Sequence, residues 1–140
     1  MEKLPIEFET KHRVKFRQVD AYGHMNMAHY LTYYIDHRFE GMRKYLGLAL
    51  KDLVELPYEF HVRSVNVEYI RPLFADEEFV IRSEVNEWRK ASIIVGLKMA
   101  NKNGELVSTC EMRIGCIDKQ TNKPREWLPS MREKFFKEIT

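Results

Sequence analysis

The stretch that decides the fold is Val14–Leu48, VKFRQVDAYGHMNMAHYLTYYIDHRFEGMRKYLGL. It opens with Val14 and Phe16 alternating against Arg13, Lys15 and Arg17, which predicts a strand over about His12 to Val19. It closes as a long helix. Between the two lies Asp20-Ala21-Tyr22-Gly23-His24-Met25-Asn26, a turn dense in polar chemistry. Gly23 supplies backbone freedom, and Asn26 is a good N-cap for a helix that starts at Met27. The amides of Met27, Ala28 and His29 then lack intrahelical partners and carry the positive end of the helix dipole. Asp20 and His24 sit at the same end. A carboxylate, an imidazole, an amide side chain and free N–H groups therefore converge on one small volume, a set suited to attacking and polarising a carbonyl.

The period of the helix sorts its faces. Met27, Leu31, Tyr34, Ile35, Phe39, Met42, Tyr45 and Leu46 form an apolar stripe, with Asp36, Glu40, Arg43 and Lys44 opposite. Gly47 closes the helix. Arg38 falls inside the stripe, so its stem packs while its head seeks a carboxylate or a neighbouring subunit. His29 and His37 fall on the polar side and read as exposed histidines; with His24 they make no metal-ligand spacing.

The 140 residues predict one domain over 1–140, with a net charge of +2 and dispersed lysine and arginine that exclude a nucleic-acid footprint. No apolar run is long enough to span a membrane, and the N-terminus shows no secretory pattern. Cys110 and Cys116 share strand parity and match no zinc motif, so they read as buried thiols in a reducing, cytoplasmic compartment.

Residues 1–11 read as a polar lead-in. After the helix comes a helical turn at Leu50–Glu55, ended by Pro57. From Tyr58 the pattern has period two. Phe60 and Val62 share one parity and Val65, Val67 and Tyr69 the other, which predicts a bulge near Arg63 and Ser64 in a strand from Glu59 to Ile70. Further strands carry Phe79, Ile81 and Val85, then Ile93, Val95, Leu97 and Met99, then Cys110, Met112, Ile114 and Cys116. Turns fall at Arg89-Lys90 and Asn103-Gly104. Pro129 opens a terminal helix with Met131, Phe135, Phe136 and Ile139 as its apolar residues. One long helix followed by antiparallel strands predicts an α+β fold, the sheet wrapped over the helix, with open edges that pairing of protomers would close.

These residues resemble the hotdog-fold acyl-CoA thioesterases of the 4-hydroxybenzoyl-CoA thioesterase-like group. That group's pattern, Asp-x-x-Gly-His-x-Asn-Asn-x-x-Tyr opening the central helix, stands here as Asp20, Gly23, His24, Asn26 and Tyr30. Arg38 matches an arginine further along the helix, and Val67-Glu68-Tyr69-Ile70-Arg71-Pro72-Leu73 resembles the group's second strand, with Asp76 after it. Met27 replaces the second asparagine and Ala75 a usual glycine. The Met27 backbone N–H survives its change.

The resemblance implies hydrolysis of an acyl-CoA, or of an acyl thioester on a carrier protein, with Asp20 as nucleophile or general base. It implies a polarising role for the Met27 amide, while His24 orients substrate or holds the turn, and Asn26 caps the helix or touches substrate. Tyr30 lines the acyl pocket or simply packs. Ser64 positions water from a partner strand or is a plain strand serine, and Arg63, Arg71, Arg89 and Lys90 meet the phosphates of coenzyme A or are solvated surface. A thioester carbonyl is already electrophilic and its thiolate leaves readily, so no metal or organic cofactor is implied. A homodimer or homotetramer is implied as the assembly. A hotdog dehydratase or isomerase places its chemistry differently from this turn. The alternative from another class is a non-catalytic acyl-CoA sensor using the same groove, against which the intact Asp20 argues.

Overall fold

The computed structural model describes residues 3–5, 7–127, 129–133 and 136–138. In chain order its elements are β1 (Lys3–Pro5), β2 (Phe8–Arg13), a 3₁₀ turn (Phe16–Gln18), α1 (Met27–Leu46), α2 (Leu50–Glu55), β3 (Tyr58–Tyr69), β4 (Glu78–Trp88), β5 (Ser92–Asn101), β6 (Leu106–Asp118), α3 (Pro129–Glu133) and β7 (Phe136–Glu138). Five strands form one antiparallel sheet in the order β2-β4-β5-β6-β3, and α1 packs against it, the expected hotdog arrangement. The sheet's inner residues, among them Phe79, Ile81, Leu97, Met99 and Met112, are buried with Tyr30, Tyr33 and Tyr34 of the helix.

The helix begins and ends where its caps dictate. Asn26 is extended and its side-chain oxygen accepts the Ala28 N–H at 3.0 Å, while Gly47 takes a left-handed φ of 67°. Its buried face differs from the predicted stripe. Tyr30, Tyr33, Tyr34, His37, Gly41, Met42 and Leu46 face the sheet, whereas Met27, Ile35 and Phe39 are exposed. Gly41 explains the rotation in part, because a Cβ there would lie 2.5 Å from the Phe8 ring. His37 explains the rest. It is fully buried rather than exposed, held at 2.6 Å from Thr10 Oγ1 and 2.5 Å from Ser83 Oγ. An apolar/polar tally assigns histidine to the wrong side whenever both ring nitrogens find partners in the core.

Three boundaries also moved. The first strand ends at Arg13, because β2 pairs with β4 from Phe8↔Ser83 to Arg13↔Glu78. Beyond it Val14 is buried but Phe16 is 84% exposed, and Gln18 folds back so that its Oε1 accepts the Lys15 N–H at 2.9 Å. The supposed lead-in therefore contains β2 itself. At the other terminus α3 is only Pro129–Glu133, and Phe136–Glu138 is a strand paired with Lys3–Pro5 rather than helix. Phe135 and Ile139 lie outside the described residues.

The bulge in β3 is present: the register to β6 shifts between Val62 and Ser64, leaving Arg63 as the extra residue. Because β3 is an edge strand, Val62, Val65 and Tyr69 remain 38–47% exposed instead of all turning into the core. Both cysteines are buried and free, and burial pushes the Cys110 thiol up to about 12 and that of Cys116 up to about 11. No helix among the described residues is long and apolar enough to cross a membrane.

Candidate active site

The turn before α1 is a small closed loop. Val19 and Met25 bridge its ends, the Asp20 amide donates to the His24 carbonyl at 2.9 Å, and the Gly23 amide donates to the Asp20 carbonyl at 3.0 Å. Gly23 makes the reversal with φ 78°, a conformation that side chains strain to adopt. The loop is anchored below by Met25 N–H to Leu73 O at 2.7 Å and Asn26 N–H to Gln18 O at 2.8 Å. Gln18 is itself fixed, its Oε1 lying 2.5 Å from the Tyr33 hydroxyl. Tyr33 and Gln18 carry no motif, so sequence reasoning passed over two residues that hold the turn in place.

Within the loop the Asp20 carboxylate is exposed; its Oδ1 accepts the Tyr22 N–H at 2.9 Å, leaving Oδ2 without a hydrogen bond among the described residues. His24 is half-buried, its ring edge-on to Phe74 at 5.2 Å and 6.4 Å from Tyr22, and its backbone bridges to Phe74. The first helical amides divide their work. Ala28 N–H is taken by Asn26 Oδ1 and His29 N–H by Asn26 O, whereas Met27 N–H has no acceptor among the described residues. One free donor at the positive end of a 20-residue helix therefore stands beside the loop that bears the Asp20 carboxylate.

Tyr30 is buried one turn further in, its ring edge-on to Tyr69 at 5.0 Å, and burial raises its hydroxyl pKa. Tyr69 reaches the helix entrance too, donating its hydroxyl to Met27 O at 3.3 Å. This tyrosine sits in the stretch Val67–Leu73, but parity alone marked it only as a core residue.

The remaining named residues are not gathered at the turn within one protomer. Ser64 lies five residues back along β3 from Tyr69, roughly 16 Å, and the Arg63 side chain lies over Gly115. Arg71 reaches the β5–β6 turn, pairing with Glu105 at 3.3 Å and donating to Leu106 O at 3.2 Å. Arg89 pairs with Glu87 at 2.9 Å and Lys90 with Glu126 at 3.2 Å. Those last two stand at the end of β4 remote from Glu78, whereas the Asp20 loop contacts the segment just before Glu78 through Leu73 and Phe74.

The fold has close neighbours among solved structures. One is the hypothetical protein SAV2348 from Staphylococcus aureus in complex with CoA, with a TM-score of 0.85 at 20% identity, covering 98% of this chain and 90% of that one. Acyl-CoA thioester hydrolase YbgC of Escherichia coli O157:H7 is 28% identical over 123 residues, 88% of this chain and 91% of its own. Long-chain acyl-CoA thioesterase FadM of Escherichia coli (strain K12) is 24% identical over 128 residues, 91% of this chain and 96% of its own. Residues 14–135, from the end of β2 to beyond α3, match the model of one family along their whole length, and by that match the chain belongs to the thioesterase-like superfamily.

Proposed function

We propose that this protein hydrolyses acyl-CoA thioesters, as a single catalytic domain with its chemistry at the Asp20 loop. The observation that carries the reading is the unpartnered Met27 N–H at the start of α1, beside a loop whose exposed carboxylate has one oxygen uncommitted. The thioester carbonyl docks on that amide, which holds the oxyanion as it forms; one such donor is worth about 2.7–4 kcal/mol in the transition state. Asp20 either attacks the carbonyl carbon, expelling the coenzyme A thiolate and leaving a mixed anhydride that water then hydrolyses, or takes a proton from a water that attacks as the thiolate leaves. His24, seated against Phe74, orients the substrate at the mouth, and Tyr30 forms the floor beneath it. The relatives named above as acyl-CoA thioesterases support the substrate class.

The assembly belongs to the same proposal. The β3 edge presents Val62, Val65 and Tyr69, and α1 presents Met27, Ile35 and Phe39, all 37–63% exposed. The opposite edge, β2, carries exposed Lys11 and Arg13, a pattern that discourages pairing. Two protomers joined along β3 would bring Ser64 and Arg63 of one toward the loop of the other. Buried free thiols agree with a reducing compartment such as the cytoplasm. Release of coenzyme A from a panel of short, long and aromatic acyl-CoAs, followed with a thiol reagent, tests the function. Turnover of at least one class is expected; binding without release across the panel would leave a sensor module instead.

A further inference from the structure

A half-open pocket stands apart from the Asp20 loop. A cavity of about 40 Å³ lies between the middle of α1 and the sheet, with Trp127 and Met131 on its wall. At roughly 10–15 Å³ per water it takes about three waters, or a ligand of three or four heavy atoms. Most of its wall is apolar, including Val85, Ile93 and Ile114. Its polar members are mainly donors.

Arg38 is the first. No described residue accepts a hydrogen bond from its guanidinium, which lies 5.5 Å from the centre of the Phe39 ring. Burial lowers its pKa, and no carboxylate offsets that effect. A partly buried cation without a counter-charge is an unstable arrangement unless something else supplies the acceptor. Trp127 is the second, its Nε1–H buried without an acceptor among the described residues. Ser83 is the third. When His37 donates from Nε2 to Ser83 Oγ, 2.5 Å away, the serine hydroxyl proton is left for the cavity. That polarity is consistent throughout, because Thr10 then donates to His37 Nδ1 and receives from His12 Nε2, each at 2.6 Å. Glu84 is the one carboxylate on the wall, and it is exposed.

We propose that this cavity binds a small monocarboxylate of about acetate size, paired with Arg38 and hydrogen-bonded by Ser83 and Trp127. A guanidinium fork matches the two oxygens of a carboxylate, and the apolar wall suits a methyl group. Chloride leaves the fork half used, and a phosphate dianion is too strongly hydrated for such a wall. The site is separate from the thioester chemistry, since Arg38 lies eleven residues along α1 from Met27, about 16 Å. It does not depend on the hydrolytic reading.

Trp127 reports on its own cavity, stacked on Phe60 at 5.3 Å and edge-on to Trp88 at 5.6 Å. The full chain is titrated with acetate, propionate and octanoate, with chloride and phosphate at matched ionic strength. Intrinsic fluorescence and the line width of ¹³C-labelled acetate are both followed. Saturation by acetate is expected, with propionate weaker and octanoate, chloride and phosphate far weaker. Arg38→Met should weaken acetate about ten- to hundredfold, as loss of charge-assisted hydrogen bonds does, and Arg38→Lys should fall between. Asp20→Asn should leave the titration unchanged. The proposal is overturned if folded wild-type protein shows no saturable response, if Arg38→Met binds as the wild type does, or if Asp20→Asn abolishes binding and so moves it to the thioester site.

Discussion

Replacing His37 by glutamine should flatten the protein's loss of stability between pH 6.5 and 4. The ring is fully buried between β2 and β4, facing Thr10 and His12 on the first and Ser83 on the second. Desolvation, with a smaller contribution from His12, lowers its pKa from 6.5 to about 4. The unfolded chain therefore binds a proton on this side chain near pH 6.5, while the folded chain declines it until about pH 4. Folding is disfavoured as pH falls through that window, and the stability present above pH 6.5 is lost progressively. The displacement corresponds to about 3 kcal/mol for the full window, with a slope approaching about 1.4 kcal/mol per pH unit in its middle. Glutamine has no such titration, so its variant starts lower at pH 7 but shows a flatter profile. Urea unfolding at fixed protomer concentration, measured at half-unit steps from pH 7 to 4.5, gives both curves. His12, whose pKa burial also lowers, shares the Thr10 hydroxyl with His37, so His12→Gln measured in parallel separates its share. Parallel curves for wild type and His37→Gln would refute the reasoning.

Other perturbations follow from particular contacts. Gly41→Ala places a Cβ 2.5 Å from the Phe8 ring and should cost about 1–3 kcal/mol by chemical denaturation, with Phe8→Leu in the same chain restoring part of it. Asn26→Ala removes the cap on Ala28 N–H and should cost about 1 kcal/mol of stability. It should also lower turnover, because a fraying first turn misplaces the Met27 amide. Val65→Lys on the β3 edge should convert the assembly to monomers by light scattering; unchanged mass would show that the edge is not the interface.

Much of this was legible because periodicity and caps are local. Asn26 and Gly47 bounded α1 to the residue, and the slip of parity at Val62–Val65 placed a bulge near Arg63 and Ser64, where the register shifts. What the sequence could not convey was tertiary choice. The helix turned Tyr33 and His37 inward, leaving Ile35 and Phe39 out, because the Tyr33 hydroxyl found Gln18, the His37 ring nitrogens found Thr10 and Ser83, and Gly41 let β2 approach. Phe8 to Arg13 looked polar since an edge strand buries only part of its length. The Asp20 loop was recognisable as a motif, yet its anchors at Gln18, Tyr33, Leu73 and Tyr69 came from three separate stretches of chain. Arg63, Arg71, Arg89 and Lys90 show the limit most clearly: their types suited phosphate, and three of them already hold carboxylates of their own chain.

We propose that the Asp20 carboxylate performs the hydrolysis at the start of α1. Single-turnover release of coenzyme A by Asp20→Asn, at enzyme in excess over a substrate the wild type turns over, tests it most directly. The substitution preserves shape and the hydrogen bond from Tyr22 N–H but removes the charge. A fall of about 10²- to 10⁴-fold in the chemical step is expected, with acyl-CoA binding retained. Near-normal release by the folded variant would contradict it.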